Sequence, residues 1–144
     1  MRRISILGST GSIGRSTLSV VEAYPQRFQV VTLAAGKNLD LAFEQVKRWH
    51  PRLISMSTEP LADALRARMK SEGIRDVEVV YGSAGAVKAA THRDVGFVVS
   101  AIVGVGGLEA TYEAVHAGKT VGLANKECLV AAGELITAEA HRQG

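Results

Sequence analysis

Hydrophobic positions along this chain follow two periods in turn. Short, β-branched runs recur at Ile4 to Leu7, Phe28 to Ala34, Leu53 to Met56, Val77 to Tyr81, Phe97 to Ile102 and Thr120 to Leu123. Each reads as a strand, and the near-continuous apolar character of the second suits a sheet covered on both faces. Between the strands, apolar residues return every three or four positions, the period of a helix. Ile13, Thr17, Val20, Val21 and Tyr24 predict one face of a first helix, which Pro25 ends. Asn38 predicts the cap of a second, carrying Leu41, Val46 and Trp49 and stopping before Pro51. The cluster Ser57-Thr58-Glu59-Pro60 starts a third, with Leu61, Leu65 and Met69 on one face and Gly73 just past its end. Ser83 to Ala90 predicts a short fourth helix. Leu108, Thr111, Tyr112 and Val115 predict a fifth, closed by Gly118, and Leu129, Ile136 and Ala140 a last one.

Six strands with intervening helices, joined by right-handed crossings, predict a doubly wound α/β fold: one parallel sheet with helices on both faces. Because a glycine-rich turn follows the first strand, the expected strand order is 3-2-1-4-5-6. No repeat, low-complexity tract or linker breaks the pattern, so residues 1–144 are expected to form one domain.

Charge narrows the choice of partners. The net charge is +3, and the basic residues are scattered among acids rather than gathered in a stripe interleaved with aromatics. That argues against a nucleic-acid face and fits a phosphorylated small ligand. Cys128 is the single cysteine, which leaves no intramolecular disulfide and points to a reducing compartment. MRRISILG runs straight into the first strand without the apolar core of a signal peptide. The longest uncharged stretch, Val95 to Leu108, holds four glycines in 14 residues, too short and too rich in glycine to span a bilayer. The expectation is a cytoplasmic protein that engages neither membrane nor nucleic acid.

The stretch ILGSTGSIGRST sets Gly8, Gly11 and Gly14 three apart at the strand-to-helix turn. A bare backbone there lets a diphosphate approach closely, and the helix that follows aims free N–H groups and its positive dipole end at the anion. Thr10 and Ser12 add hydroxyl donors. On its own the G-x-x-G-x-x-G spacing also fits an ordinary βα turn; no Lys-Ser/Thr pair follows, so it is not a P-loop. A dinucleotide site that prefers NAD carries an acid about 20 positions further on, to accept from the adenosine ribose. Here that neighbourhood reads LAAGKN, with Gly36, Lys37 and Asn38. A lysine attracts a 2′-phosphate where a carboxylate repels it, so NADP is the expected cofactor. A third candidate, Asn125-Lys126-Glu127, follows the sixth strand; these residues either face a ligand at the carboxyl edge of the sheet or simply cap the last helix.

Taken together, ILGSTGSIGRSTL, LAAGKN, SAIVGVGGLEAT and GKTVGLANKECLV strongly resemble the amino-terminal domain of the 1-deoxy-D-xylulose 5-phosphate reductoisomerase family. The likeness runs in order from Ile6 to about Ile136. It implies a Rossmann-like, NADPH-binding domain of an enzyme that rearranges a phosphorylated ketose and then reduces the product with NADPH. That product is 2-C-methyl-D-erythritol 4-phosphate, made in non-mevalonate isoprenoid synthesis. The resemblance further implies a divalent cation, Mg²⁺ or Mn²⁺, and a homodimer. By position it places NADPH contacts at Thr10, Gly11, Ser12 and Ile13, and the 2′-phosphate at Gly36, Lys37 and Asn38. Asn125 and Glu127 fall on cofactor contacts, Lys126 on a substrate-contacting lysine, and Ala101 and Ile102 on the wall of the cofactor cleft.

Two departures qualify the likeness. Cys128 stands where serine is expected, and a thiol is the poorer hydrogen-bond partner. The family's acidic metal ligands, mobile lid and helical carboxyl-terminal domain have no counterpart in these residues, and His50, His92, His116 and His141 lack the spacing of a metal site. The chain alone is therefore expected to bind cofactor without turnover, with no catalytic residue or metal ligand of its own. The alternatives are the nucleotide domain of a semialdehyde-type dehydrogenase, which needs a catalytic cysteine with a partner histidine, and a stand-alone NADP-sensing module.

Overall fold

The computed structural model describes residues 1–102 and 107–123. The predicted last helix, with Leu129, Ile136 and Ala140, lies outside them, as do Asn125, Lys126, Glu127 and Cys128. Within the described residues, strands and helices alternate: β1 (Arg2–Leu7), α1 (Ser12–Ala23), β2 (Phe28–Gly36), α2 (Leu39–Trp49), β3 (Leu53–Met56) and α3 (Glu59–Ser71). They continue as β4 (Glu78–Tyr81), α4 (Gly82–Ala90), β5 (Phe97–Ser100), α5 (Leu108–His116) and β6 (Thr120–Leu123). All neighbouring strands pair in parallel.

The sheet order is β4-β3-β2-β1-β5-β6, which corrects the expected 3-2-1-4-5-6. The reversal of direction comes after four strands rather than three. α3 returns the chain to the outer side of β3, where β4 pairs with it. α4 then makes the long crossing back to β5 beside β1. It is anchored on the way: the buried Thr32 hydroxyl of β2 donates to the Ala89 carbonyl of α4 at 2.7 Å. Nothing local to Val77–Tyr81 marks it as an edge strand, so the pattern of strands was readable and their order was not.

Two cores lie on opposite faces of the sheet. On one, Ile4, Ile6, Leu33 and Ile54 pack against α1, α2 and α3 through Leu18, Phe43, Val46, Leu65 and Met69. On the other, Leu7, Val31, Leu53 and Val98 pack against the small faces of α4 and α5, Ala89, Ala90, Ala110 and Ala114. Burying a side chain such as Leu or Ile contributes about 1.5–3 kcal/mol, so the doubly covered strands dominate the stability.

The α1 face differs from the expectation. Gly14, Leu18 and Val21 are the buried residues, while Ile13, Val20 and Tyr24 are 46%, 51% and 54% exposed. The glycine turn decides the rotation. A Cβ on Gly14 would stand 2.1 Å from the Gly8 carbonyl oxygen, so only a glycine lets α1 lie against the turn, and this fixes which stripe faces inward. β5 also ends earlier than predicted, at Ser100. Ala101 and Ile102 pass beyond it, with the Ala101 N–H donating to the Leu7 carbonyl at 2.8 Å.

Candidate functional site

The carboxyl ends of β1, β2, β3 and β5 open into one cavity of about 420 Å³. Gly8, Thr10 and Gly11 line it at the centre, Gly36 on one side, and Ala101 and Ile102 on the other. Of the residues predicted for a cofactor, Thr10, Gly11, Gly36, Ala101 and Ile102 line this one cavity, whereas Ser12, Ile13, Lys37 and Asn38 follow lining residues in the chain without lining it themselves. This is the point where the strand order reverses between β1 and β5, the usual location of ligands in an open α/β sheet. A second cavity, of about 450 Å³ between Arg2, Arg3, Arg93 and Phe97, lies at the opposite, amino-terminal ends of the strands and shares no residue with the glycine turn.

The turn itself is held rigidly. Gly8 sits at φ +89°, and a Cβ there would meet the Ala101 carbonyl oxygen at 2.7 Å. The N–H groups of Gly8 and Ser9 both donate to the Ala34 carbonyl, at 2.8 and 3.0 Å. The Thr10 hydroxyl donates to the Ala35 carbonyl. That bond ties the turn to β2, so Thr10 clamps the turn while still lining the cavity.

The backbone that follows is ready to donate. α1 has no side-chain cap, no acid in its first turn, and Arg15 N–H to Gly11 C=O as its first internal bond. The N–H groups of Ser12, Ile13 and Gly14 accordingly have no acceptor within the helix. Such an end, with the helix dipole behind it, is an anion site. Gly11 is exposed, and a Cβ on it would come no nearer than 3.6 Å to the Gly8 carbonyl oxygen. Its bareness is not required by the protein's own packing, and it keeps the approach to these amides open.

Just after β2, Lys37 and Asn38 are exposed and follow Gly36, which lines the cavity. The Asn38 Oδ1 accepts from the Leu41 N–H at 3.0 Å, the predicted cap of α2. Its Nδ2 end, which has two donors, is left for a ligand. Nearby acids are neutralised elsewhere: Asp40 pairs with Arg68 at 2.6 Å, and Glu22 pairs with Arg48. Lys37 makes no ion pair among the described residues. The net local charge here is therefore positive.

Sequence reasoning missed two residues here. Gln45, buried in α2, donates from Nε2 to the Ser9 carbonyl at 2.8 Å. Ser57, just past β3, lines the cavity, and its N–H donates to the Gly36 carbonyl at 3.0 Å. A lone glutamine on a helix and a serine in a helix-start cluster carry no signal of this kind by themselves.

A parallel sheet with a glycine turn at its point of reversal, and two helix amino termini beside one cavity, define a doubly wound, Rossmann-like domain. The comparisons narrow the class. A family model for 1-deoxy-D-xylulose 5-phosphate reductoisomerase matches residues 4–133, and the chain belongs to this family. That closes the semialdehyde-type alternative. The chain is 51% identical over 144 residues to the 1-deoxy-D-xylulose 5-phosphate reductoisomerase of Anaeromyxobacter sp. (strain K), covering all of this chain and 36% of that protein. The crystal structure of a DOX-P reductoisomerase in complex with NADPH, fosmidomycin and magnesium matches with a TM-score of 0.95 at 35% identity, over 100% of this chain and 35% of that one. The Zymomonas mobilis enzyme in complex with NADPH matches with a TM-score of 0.91 at 36% identity, over 99% and 37%. The chain spans about a third of the length of the curated relatives it matches. No helix among the described residues is long and apolar enough to cross a membrane.

Proposed function

We propose that residues 1–144 are the NADPH-binding domain of an enzyme that converts 1-deoxy-D-xylulose 5-phosphate to 2-C-methyl-D-erythritol 4-phosphate. The observation that carries this reading is the uncapped start of α1 opening into the same cavity as Gly36, whose neighbour Lys37 makes no ion pair among the described residues while Asp40 pairs with Arg68. The amides of Ser12, Ile13 and Gly14 would hold the diphosphate. Lys37, the Asn38 Nδ2 and the start of α2 would hold the 2′-phosphate, and Gly36 leaves room for the ribose. Ala101 and Ile102 would wall the cavity on the side towards β6, where Asn125, Lys126 and Glu127 follow in the sequence. Of these three, Asn125 and Glu127 are assigned to the cofactor and Lys126 to the phosphorylated ketose. NADPH, when bound, supplies the hydride. This chain's own residues bind and orient it and keep its phosphates neutralised.

Among the described residues no group of three or more His, Cys, Asp or Glu side chains is placed to hold a metal ion. They do not fit a metal centre, and the family's divalent cation is assigned to none of them. The homodimer and the cytoplasmic location implied by the resemblance belong to this proposal as well. Titration of the 144-residue chain with NADPH tests the reading, paired with NADPH oxidation in the presence of the ketose phosphate and Mg²⁺. Saturable binding with oxidation at background is the expected result. Absence of binding, or clear turnover by this chain alone, contradicts it.

A further inference from the structure

Arginines far apart in the sequence, Arg2 and Arg3 against Arg93, meet at the amino-terminal ends of β1, β5 and β6. With Phe97 and Thr120 they line the cavity of about 450 Å³ at that end of the sheet. Backbone bonds fix its frame. The Gly96 N–H donates to the Arg3 carbonyl at 2.9 Å, and the Thr120 N–H donates to the Gly96 carbonyl at 3.1 Å. The Arg2 guanidinium lies over the Phe97 ring, 5.2 Å from its centre, which holds it in place. Gly96 is exposed, and a Cβ on it would come no nearer than 3.9 Å to the Arg3 carbonyl oxygen. As at Gly11, packing does not require the bare backbone, which keeps the floor of the cavity open.

Charge at this end is unbalanced. Asp94 is the one acid that lines the cavity, and it pairs with Arg52, with the His92 Nδ1 3.8 Å away. Arg2, Arg3 and Arg93 make no ion pair among the described residues. Guanidinium groups around one concavity repel one another, and its low-dielectric walls focus their field. A bound anion relieves that repulsion, and the planar N–H fork of arginine matches phosphate oxygens. Three cations call for more than one negative charge. The volume lies within the roughly 300–1,000 Å³ of small-molecule sites, so a compact ligand with adjacent phosphates fits better than an extended polymer.

We propose that this cavity is an anion site in its own right, which takes a small molecule bearing a diphosphate group. Arg3 and Arg93 hold the phosphate oxygens, and Arg2, seated on Phe97, completes the wall. The six residues of β1 separate it from the glycine turn by roughly 20 Å. It does not depend on the NADPH-binding reading above.

Inorganic diphosphate is the probe, titrated at constant ionic strength into the isotope-labelled 144-residue chain. The amide resonances of Gly96 and Thr120 report this cavity, and those of Gly11 and Ser12 report the glycine turn. Gly96 and Thr120 should shift saturably, and at lower concentrations than with orthophosphate. A variant carrying Arg3→Gln and Arg93→Gln changes two exposed side chains and leaves the core untouched. It should bind diphosphate at least about tenfold more weakly at Gly96 and Thr120, the factor for losing one charge-assisted hydrogen bond. Gly11 and Ser12 should respond as in wild type. No saturable shift of Gly96 and Thr120 in wild type overturns the proposal, and that arm depends on no variant folding. The same shifts with chloride at equal ionic strength, or undiminished affinity in the double variant, overturn it too. Tighter saturation of these resonances by a short single-stranded oligonucleotide would replace the small ligand with a nucleic acid. Shifts confined to Gly11 and Ser12 defeat this inference and leave the proposed function standing.

Discussion

The Gln45 side-chain amide donates to the Ser9 carbonyl at 2.8 Å, inside the protein, and joins the helix that follows Lys37 to the turn that precedes α1. Gln45 is 5% exposed and Ser9 fully buried. The two places proposed to hold anions are thereby braced against each other, and a change at the brace reaches both. Gln45→Leu keeps the approximate volume and leaves the Ser9 carbonyl unpaired. It should cost about 1–3 kcal/mol of stability. It should also weaken both NADPH and NADH, since the diphosphate is common to them, and NADPH at least as much, since the second site holds only its 2′-phosphate. Urea unfolding and cofactor titration check both effects. Unchanged affinity for both cofactors would show that the turn keeps its shape without Gln45.

Gly14 and Gly11 should separate folding from binding. A Cβ at Gly14 meets backbone at 2.1 Å, and backbone cannot move aside cheaply. Gly14→Ala should destabilise the chain at the upper end of the roughly 1–3 kcal/mol typical of overpacking. A Cβ at Gly11 meets nothing closer than 3.6 Å. Gly11→Ala should keep wild-type stability to within about 0.5 kcal/mol, as surface substitutions usually do. It should still lose at least about tenfold in NADPH affinity, roughly 1.4 kcal/mol. Thermal melts should therefore set Gly14→Ala well below wild type and Gly11→Ala close to it, while titration shows Gly11→Ala to be a weak binder of normal stability.

Tyr81 provides a pH-dependent check on the edge of the sheet. Its hydroxyl donates to Glu59, and this bond, with the negative charge of Glu59, raises the Tyr81 pKa above its ordinary 10.0. A raised folded-state pKa means that the contribution to stability is complete below pH 10 and is lost as pH climbs through the raised value. Ultraviolet titration should show one of the three tyrosines ionising later than a free phenol. Glu59→Gln should bring it back down. An unchanged curve in Tyr81→Phe above pH 10 would assign the late ionisation to Tyr24 or Tyr112.

Local chemistry was legible in the sequence, and long-range choices were not. The Asn38 cap, the start of α3 at Thr58, the glycine turn and the centres of all six strands follow from residue types and their spacing. The sheet order depends on which way α3 and α4 cross, and no residue near β4 encodes that. The inward stripe of α1 was misjudged because Ile13, Val20 and Tyr24 are apolar. The close approach of Gly14 to Gly8 outweighs the gain from burying them. At the site, the glycines and Lys37 were visible as motifs. Gln45 and Ser57 act through partners far away in the chain, Ser9 and Gly36, and only the fold brings those together.

The central claim is that Lys37 holds a 2′-phosphate, and calorimetric titration of NADPH and NADH against wild type and Lys37→Ala tests it most directly. A charge-assisted contact contributes roughly 1.5–3 kcal/mol, which corresponds to about 10- to 150-fold in affinity. Lys37→Ala should weaken NADPH by that factor and leave NADH nearly unchanged. The loss should shrink as salt is added, because Lys37 is exposed and its field is screened. Equal losses for NADPH and NADH would contradict the claim, since Lys37 would then shape the turn without meeting the phosphate.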